Sequence, residues 1–468
     1  MYEERNISQE EVEHIFNTIS ENYFYDYKDK RIKPGKLTIS ISAFANASGG
    51  EIYLGITENN KTKEKIWDGF LNIEDANAHI QSIIDLKTVE NFVQFSFFKH
   101  NILNTYVLHI SISKTKPIIY ATDGIAYIRH NAQNLPVNTD EKIRRLELDK
   151  GIVSFEDETI SETSFEDIAN SEVLTNFIHN VVPKLDNISW IKRQHLFNGY
   201  HLTVAGTLLF TDEPQIFLPK RSSIKVFRYK TSDKGDRDTL DKDPETIEGC
   251  AYNQIYDAVK KVKNIVESIQ ILNSKFMDIN YPDETLHEII TNAVLHRDYS
   301  ISTDIQIRIF DNRIEVESPG KLPGHVTVDN ILEEQSARNP KIVRLINKFP
   351  DAPNKDVGEG LNTAFEAMNK LRLKPPVIKE KDNSVLVIIK HEKLASPERI
   401  IVEYLQNHNT IKNRIGRELT GIKSENTMKN VFYKLRDSGF ITLVRPGNYW
   451  KKTDNFDQLV ASQLDNFK

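Results

Sequence analysis

Glu288, Asn292 and His296 lie four residues apart in the stretch PDETLHEIITNAVLHRDYS, residues 282–300. On a helix that spacing stacks them in one row, about one turn apart. A carboxylate stacked on a carboxamide can serve a Mg²⁺–phosphate site. The amide oxygen is a hard ligand for the metal, and the carboxylate can take a proton from attacking water. The wet face of an ordinary amphipathic helix has the same look.

The element that must hold this row is legible. Asp283 suits an N-cap, Glu284 falls in the first turn, and Leu286, Ile289, Ile290, Ala293 and Val294 recur at helical spacing as a buried stripe. Downstream, IQIRIFDNRIEVESPGKLPG reads as two alternating strands joined at Asp311-Asn312-Arg313, then a Gly/Pro turn. ARNPKIVRLINKF follows, and then DVGEGLNTAFEAM, in which a glycine pair opens a helix. Backbone N–H groups at such a start can approach phosphate, although a bare GxG is often only a turn.

The order helix, hairpin, SPG, RNP, GxGL resembles the ATP-binding module related to gyrase, Hsp90 and histidine kinases, the GHKL superfamily. The nearest form is the divergent one found in bacterial transcriptional regulators. The resemblance implies ATP with Mg²⁺ as cofactor, Glu288 as base and Asn292 as metal ligand. It also implies Gly358 and Gly360 as a glycine box, and Gly320 as part of the other nucleotide turn. Ser318-Pro319-Gly320 stands where the superfamily has Asp-x-Gly-x-Gly, so the Asp that reads the adenine amino group is absent.

A chain of 468 residues has room for about three domains. Its single cysteine, Cys250, excludes an intramolecular disulfide and a cysteine zinc site, which fits a reducing cytoplasm. No apolar run approaches a membrane span, and the N-terminus is polar rather than signal-like. A net charge of −6 argues against a uniformly basic nucleic-acid binder but leaves room for a local basic patch.

Residues 1–145 form the first expected unit. Ser8 and Glu11 make a capping box ahead of an apolar helix face. Leu37–Ala47 could be strand or helix, Gly49-Gly50 breaks it, and EIYLGI reads as a strand. SAFANASGGEIYLGITE resembles the Schlafen-type AlbA domain, as does YIRHNAQNLPV, read as a strand and a short loop. That family's acidic pattern falls here on Glu21, Asp26 with Lys28, and Glu58, with Asp26 replacing a glutamate. The resemblance implies a metal-dependent nuclease for structured RNA such as tRNA, or for DNA. Three gathered carboxylates need a divalent cation, Mg²⁺ or Mn²⁺, which could activate water, and Lys28 could offset phosphate charge. The alternatives are ordinary surface acids, or a fold that binds nucleic acid without cutting it. In the latter, Lys28, Lys30, Arg31, Lys33, Lys36, Arg129 and His130 would touch phosphates.

Residues 146–200 read as a connector and 201–393 as the GHKL-like α/β sandwich, with a helix from about Glu248 to Asn273 leading to the row-bearing helix. Residues 394–468 resemble a winged helix-turn-helix and tail. Eleven Lys and Arg face five Asp and Glu over 396–452, a local charge of +6 that suits a polyanion. Asn426 lies near the start of the expected recognition helix, Lys423, Lys429 and Lys434 would contact phosphates, and Arg445 would sit on the wing.

The expected whole is an α+β, multidomain cytoplasmic protein, AlbA-like, then GHKL-like, then winged helix, working as a homo-oligomer. Its expected function is nucleotide-responsive binding of nucleic acid, with nuclease or weak ATPase activity. The alternative is a non-enzymatic ATP-binding transcriptional regulator that binds duplex DNA through its winged helix.

Overall fold

The computed structural model describes the chain except residues 1–2, 19–20, 59–63, 87–91, 183–185, 219–221, 274, 279–280, 354–359, 372, 391–396, 421, 423, 445–448 and 464–468. The chain divides into two compact units, one of Met1–Met368 with Pro375–Lys390, the other of Asn369–Lys374 with His391–Lys468. The first unit therefore holds the first three expected segments together.

The N-terminal part is built on a five-stranded sheet in the order Glu3–Ile7, Val93–His100, Tyr106–Ile112, Gly50–Leu54, Tyr25–Lys28. Both edge pairings are parallel and the inner ones antiparallel. The ambiguous SAFAN stretch is helix, Pro34–Asn46, with proline in its first turn, where a missing N–H costs nothing. Its Leu37, Ile41, Phe44 and Ala45 join the sheet core. Ser40 and Ser42 are buried beside them, and the small side chains let the hairpin Ala126–His130/Gln133–Val137 lie against the helix. The stretch expected as one strand and a short loop holds two paired strands, Ala126–His130 and Gln133–Val137. Gly49 (φ +81°) must be glycine, since a Cβ there would meet Ile112 O at 2.6 Å. The capping box is present: Ser8 N–H donates to Glu11 at 2.8 Å, and Glu11 N–H to Ser8 Oγ at 3.3 Å.

The second sheet runs Glu245–Ile247, Ile224–Arg228, Ile305–Ile309, Arg313–Pro319, Ser384–Lys390, Val377–Glu380. Ile305, Ile307 and Ile309 face inward and alternate with Gln306 and Arg308, the period-two pattern of a sheet with one covered face. Helices Ala251–Glu267 and Asp283–Leu295 pack on each other and on this sheet. The first is shorter than expected, and Gln270–Asn273 is a strand paired with Lys275–Asp278. The second begins one residue earlier than expected. Pro282 is the cap, Asp283 is already helical, and its carboxylate reaches Lys263 at 2.7 Å instead of capping.

The C-terminal unit has helices Pro397–Asn407, Asn413–Thr420 and Glu425–Asp437. With them goes an antiparallel sheet in the order Thr410–Ile411, Tyr449–Lys452, Ile441–Val444. Ile401, Leu405, Met428, Phe432, Phe440 and Trp450 fill its core. Among the described residues no helix is long and apolar enough to cross a membrane.

Candidate functional site

The helix Asp283–Leu295 turns its polar row toward a cavity of about 250 Å³. Glu288, Asn292 and His296 line one side, Gly320 to Pro323 another, and Val316, Ile378, Val385 and Val387 supply an apolar floor. Asn292 Nδ2 donates to Glu288 Oε1 at 2.7 Å, which leaves the amide oxygen for another partner. Burial holds the Glu288 carboxyl above the ordinary range, against the pull of the Asn292 hydrogen bond. A carboxyl raised in this direction holds a proton more readily, which suits taking one from water. His296, the C-cap of the helix, is pushed down to about 4 by burial and by the Arg338 charge, so it is neutral at pH 7. An apolar floor for a flat ring, beside a carboxylate and a free amide oxygen, fits a nucleotide carrying Mg²⁺. Of the expected glycines, Gly320 (φ +108°) lines the cavity, and a Cβ there would meet Asp298 Cβ at 2.7 Å. Gly360 opens helix Gly360–Lys370, while Gly358 lies outside the described residues.

The motif strings around this cavity are mostly its frame. Asp298 is 1% exposed and bonds Arg145 at 2.5 Å and Arg338 at 3.4 Å, so its carboxyl is held below the usual range by both guanidinium groups despite burial. Asp298 N–H donates to Pro319 O at 2.8 Å, and Arg338 donates to Lys321 O at 2.6 Å and Leu148 O at 2.7 Å. Asn339 Nδ2 donates to Leu295 O and Arg297 O. Ser318 Oγ donates to Ala293 O at 2.6 Å. HRDYS, SPG and ARNP are thus one buried polar lattice that fixes the site helix to the turn opposite. Charged residues in strings that no apolar periodicity explains were the available signal, and Arg145 carried none.

The N-terminal acids are arranged differently. Asp26 is 1% exposed. It pairs with Lys28 at 2.7 Å and Arg129 at 3.4 Å, and accepts from Ser40 at 3.3 Å. Glu21 interacts with Asp26, and partial burial with the Asp26 charge raises its carboxyl. Glu58 is exposed, opposite Lys65 in the strand register, and Lys65 senses both Glu58 and Glu21. Among the described residues no group of three His, Cys, Asp or Glu side chains is placed to hold a metal ion. Glu21 and Asp26 thus lie together near Lys28, while Glu58 stands opposite Lys65. Arg129, expected on phosphate, is 2% exposed. It donates to Asn22 O, Tyr25 O and Asn134 Oδ1, and lies 4.7 Å from the Phe44 ring. Its donors face inward, so it holds the fold instead.

In the C-terminal unit, Ser424 caps helix Glu425–Asp437 by accepting from Thr427 N–H at 3.3 Å. Asn426 is exposed in the first turn, Lys429 pairs with Glu425 at 2.8 Å and Lys434 with Glu398 at 3.2 Å. Lys423 and Arg445 lie outside the described residues.

Sheets and helices in separate covered layers make this a mixed α+β multidomain protein. Residues 21–138 match the family described as "Schlafen, AlbA_2". Residues 302–389 match the family described as "Putative ATP-dependent DNA helicase recG C-terminal". The chain thus carries a Schlafen-type AlbA_2 domain followed by a domain similar to the RecG C-terminal ATPase-like module. Among solved structures, the DIP2311 protein from Corynebacterium diphtheriae is similar to it at 17% identity, over 97% of this chain and 98% of that one, with a TM-score of 0.41. No curated protein matches the chain.

Proposed function

We propose that this is a nucleotide-responsive nucleic-acid-binding protein of the cytoplasm. The central domain, a divergent GHKL-like module, binds a Mg²⁺–adenine nucleotide, and the AlbA-type and winged-helix domains bind nucleic acid. The observation that carries it is the cavity faced by Glu288 and Asn292. The two family likenesses point the same way. Bound Mg²⁺ would supply charge neutralisation at the phosphates. Asn292 would present its amide oxygen, Glu288 would take a proton from water, and the apolar floor would hold the base. The helix Glu425–Asp437, with Asn426 at its exposed start and Lys429 and Lys434 along it, is the natural reader of duplex DNA.

Cleavage by the N-terminal domain is the stronger form of this reading, and it requires Glu21, Asp26 and Glu58 to converge. The test is purified protein with tRNA, single-stranded DNA and duplex DNA, with and without Mn²⁺ and ATP, scored for binding and for cutting. ATP-dependent binding with intact nucleic acid supports the regulator form. Cutting that disappears in the triple acid variant supports the nuclease form. Absence of any nucleic-acid affinity overturns both.

A further inference from the structure

The turn Gly320–Val326 has two faces. Gly320, Lys321, Leu322, Pro323 and Val326 line the cavity. The outer face of the same turn is held by the AlbA-type domain. Lys114, in the segment that leaves strand Tyr106–Ile112, is 8% exposed, and its Nζ donates to Leu322 O at 2.7 Å and Val326 O at 3.1 Å. Its charge is met by Glu380 at 3.7 Å. Glu380 in turn accepts Leu322 N–H at 2.8 Å and the Ser48 hydroxyl at 3.3 Å. Two residues of the AlbA-type domain, Lys114 and Ser48, therefore close a ring with the turn and with strand Val377–Glu380. Gly324 N–H is also held, by Lys150 O at 3.0 Å. Lys150 Nζ reaches back to Ala45 O and Thr115 Oγ1, both at 3.2 Å.

A buried ammonium on two carbonyls is an expensive arrangement in a merely convenient contact. Desolvation penalises the charge, and only good geometry offsets it. Burial does lower the Lys114 pKa, with Glu380 opposing. Two bonds from Lys114, one to Glu380 and one to Lys150 O fix where that short turn can sit. We infer that Lys114 is a positioning residue which the AlbA-type domain contributes to the nucleotide cavity, so that the two domains share one wall and occupancy of one is felt by the other. Coupling of this kind needs a shared two-sided element, and the turn is such an element. The inference rests on the nucleotide reading for its ligand, but the positioning itself can be tested without one.

The test is amide hydrogen exchange on the full chain, wild type against Lys114→Met and Glu380→Gln, with circular dichroism to confirm folding. In the free protein, amides of 320–326 should exchange about tenfold faster in both variants, while those of the far sheet strands stay protected. In wild type, Mg²⁺–ATP should slow exchange at 320–326 and also at 113–116. In Lys114→Met the slowing at 113–116 should vanish. Unchanged exchange at 320–326 in both folded variants would overturn the positioning role. If Lys114→Met fails to fold, the Glu380→Gln result decides alone. Faster exchange in the variants, with no effect of Mg²⁺–ATP on wild type, would keep the positioning role and reject the nucleotide reading instead.

Discussion

Two sets of acids in this protein look alike as letters and differ as chemistry. Asp26 is buried with two cations on it, whereas Glu288 is half-buried and, among the described residues, is met by the Asn292 amide. A carboxylate whose charge is already met inside the fold has little left to offer a ligand. A carboxylate desolvated beside a cavity with no cation of its own keeps both its raised affinity for a proton and its need for a partner. The contrast says that an acid's neighbours, and not its spacing, decide whether it is structure or site.

Breaking the compensated set should have the largest effect. Arg129→Ala removes the partner of a buried carboxylate along with several backbone bonds, and should cost about 3–5 kcal/mol in denaturant unfolding. A loss under about 1 kcal/mol, the scale of an exposed pair, would mean Asp26 is not held this way. Ser318→Ala comes next. It leaves a buried Ala293 carbonyl without its donor and should cost about 1–2 kcal/mol, with a matching fall in nucleotide affinity because the site helix loses its tie to the opposite strand.

The cavity acids should speak through pH. Glu288, raised by burial, contributes stability that is present below its unfolded pKa and lost as pH rises through the folded value. Glu288→Gln should therefore raise the melting midpoint at about pH 8 and leave it unchanged at about pH 3. His296, lowered to about 4, behaves oppositely: its contribution is present above 6.5 and is lost as pH falls through about 4. His296→Gln should flatten that acid limb, and an unchanged limb would show the ring is not buried as described.

The smallest change in stability belongs to the exposed pairs. Lys429→Ala with Lys434→Ala should leave the melting curve within about 0.5 kcal/mol. Yet the same change should weaken duplex binding across all sequences and lower the salt slope by about 2. An unchanged slope would remove this helix from the DNA face.

Local features were the readable ones. The Ser8–Glu11 box, the helix carrying Glu288 and Asn292, the hairpin around Asn312 and the three C-terminal helices all follow from spacing and caps. The parallel pairing of Glu3–Ile7 with Val93–His100 joins residues about ninety apart, and no local pattern encodes it. Leu37–Ala47 was ambiguous because small residues mark close packing, which strands and helices share. Arg129 misled for a physical reason: an arginine beside a histidine reads as a phosphate contact until Asn22, Tyr25 and Asp26, over a hundred residues earlier, are seen to claim its donors. Arg145 and Lys114 could not be found at all, since their roles depend on which turn of a distant domain arrives next to them.

Whether the Glu288–Asn292 cavity binds a nucleotide can be read from titration calorimetry of Mg²⁺–ATP into wild type, Asn292→Ala and Glu288→Gln. Binding in wild type, retained in Glu288→Gln and abolished in Asn292→Ala, is the result expected from an amide that ligates the metal and a carboxylate that only moves a proton. No heat from wild type up to millimolar nucleotide, or equal affinity in Asn292→Ala, would contradict it.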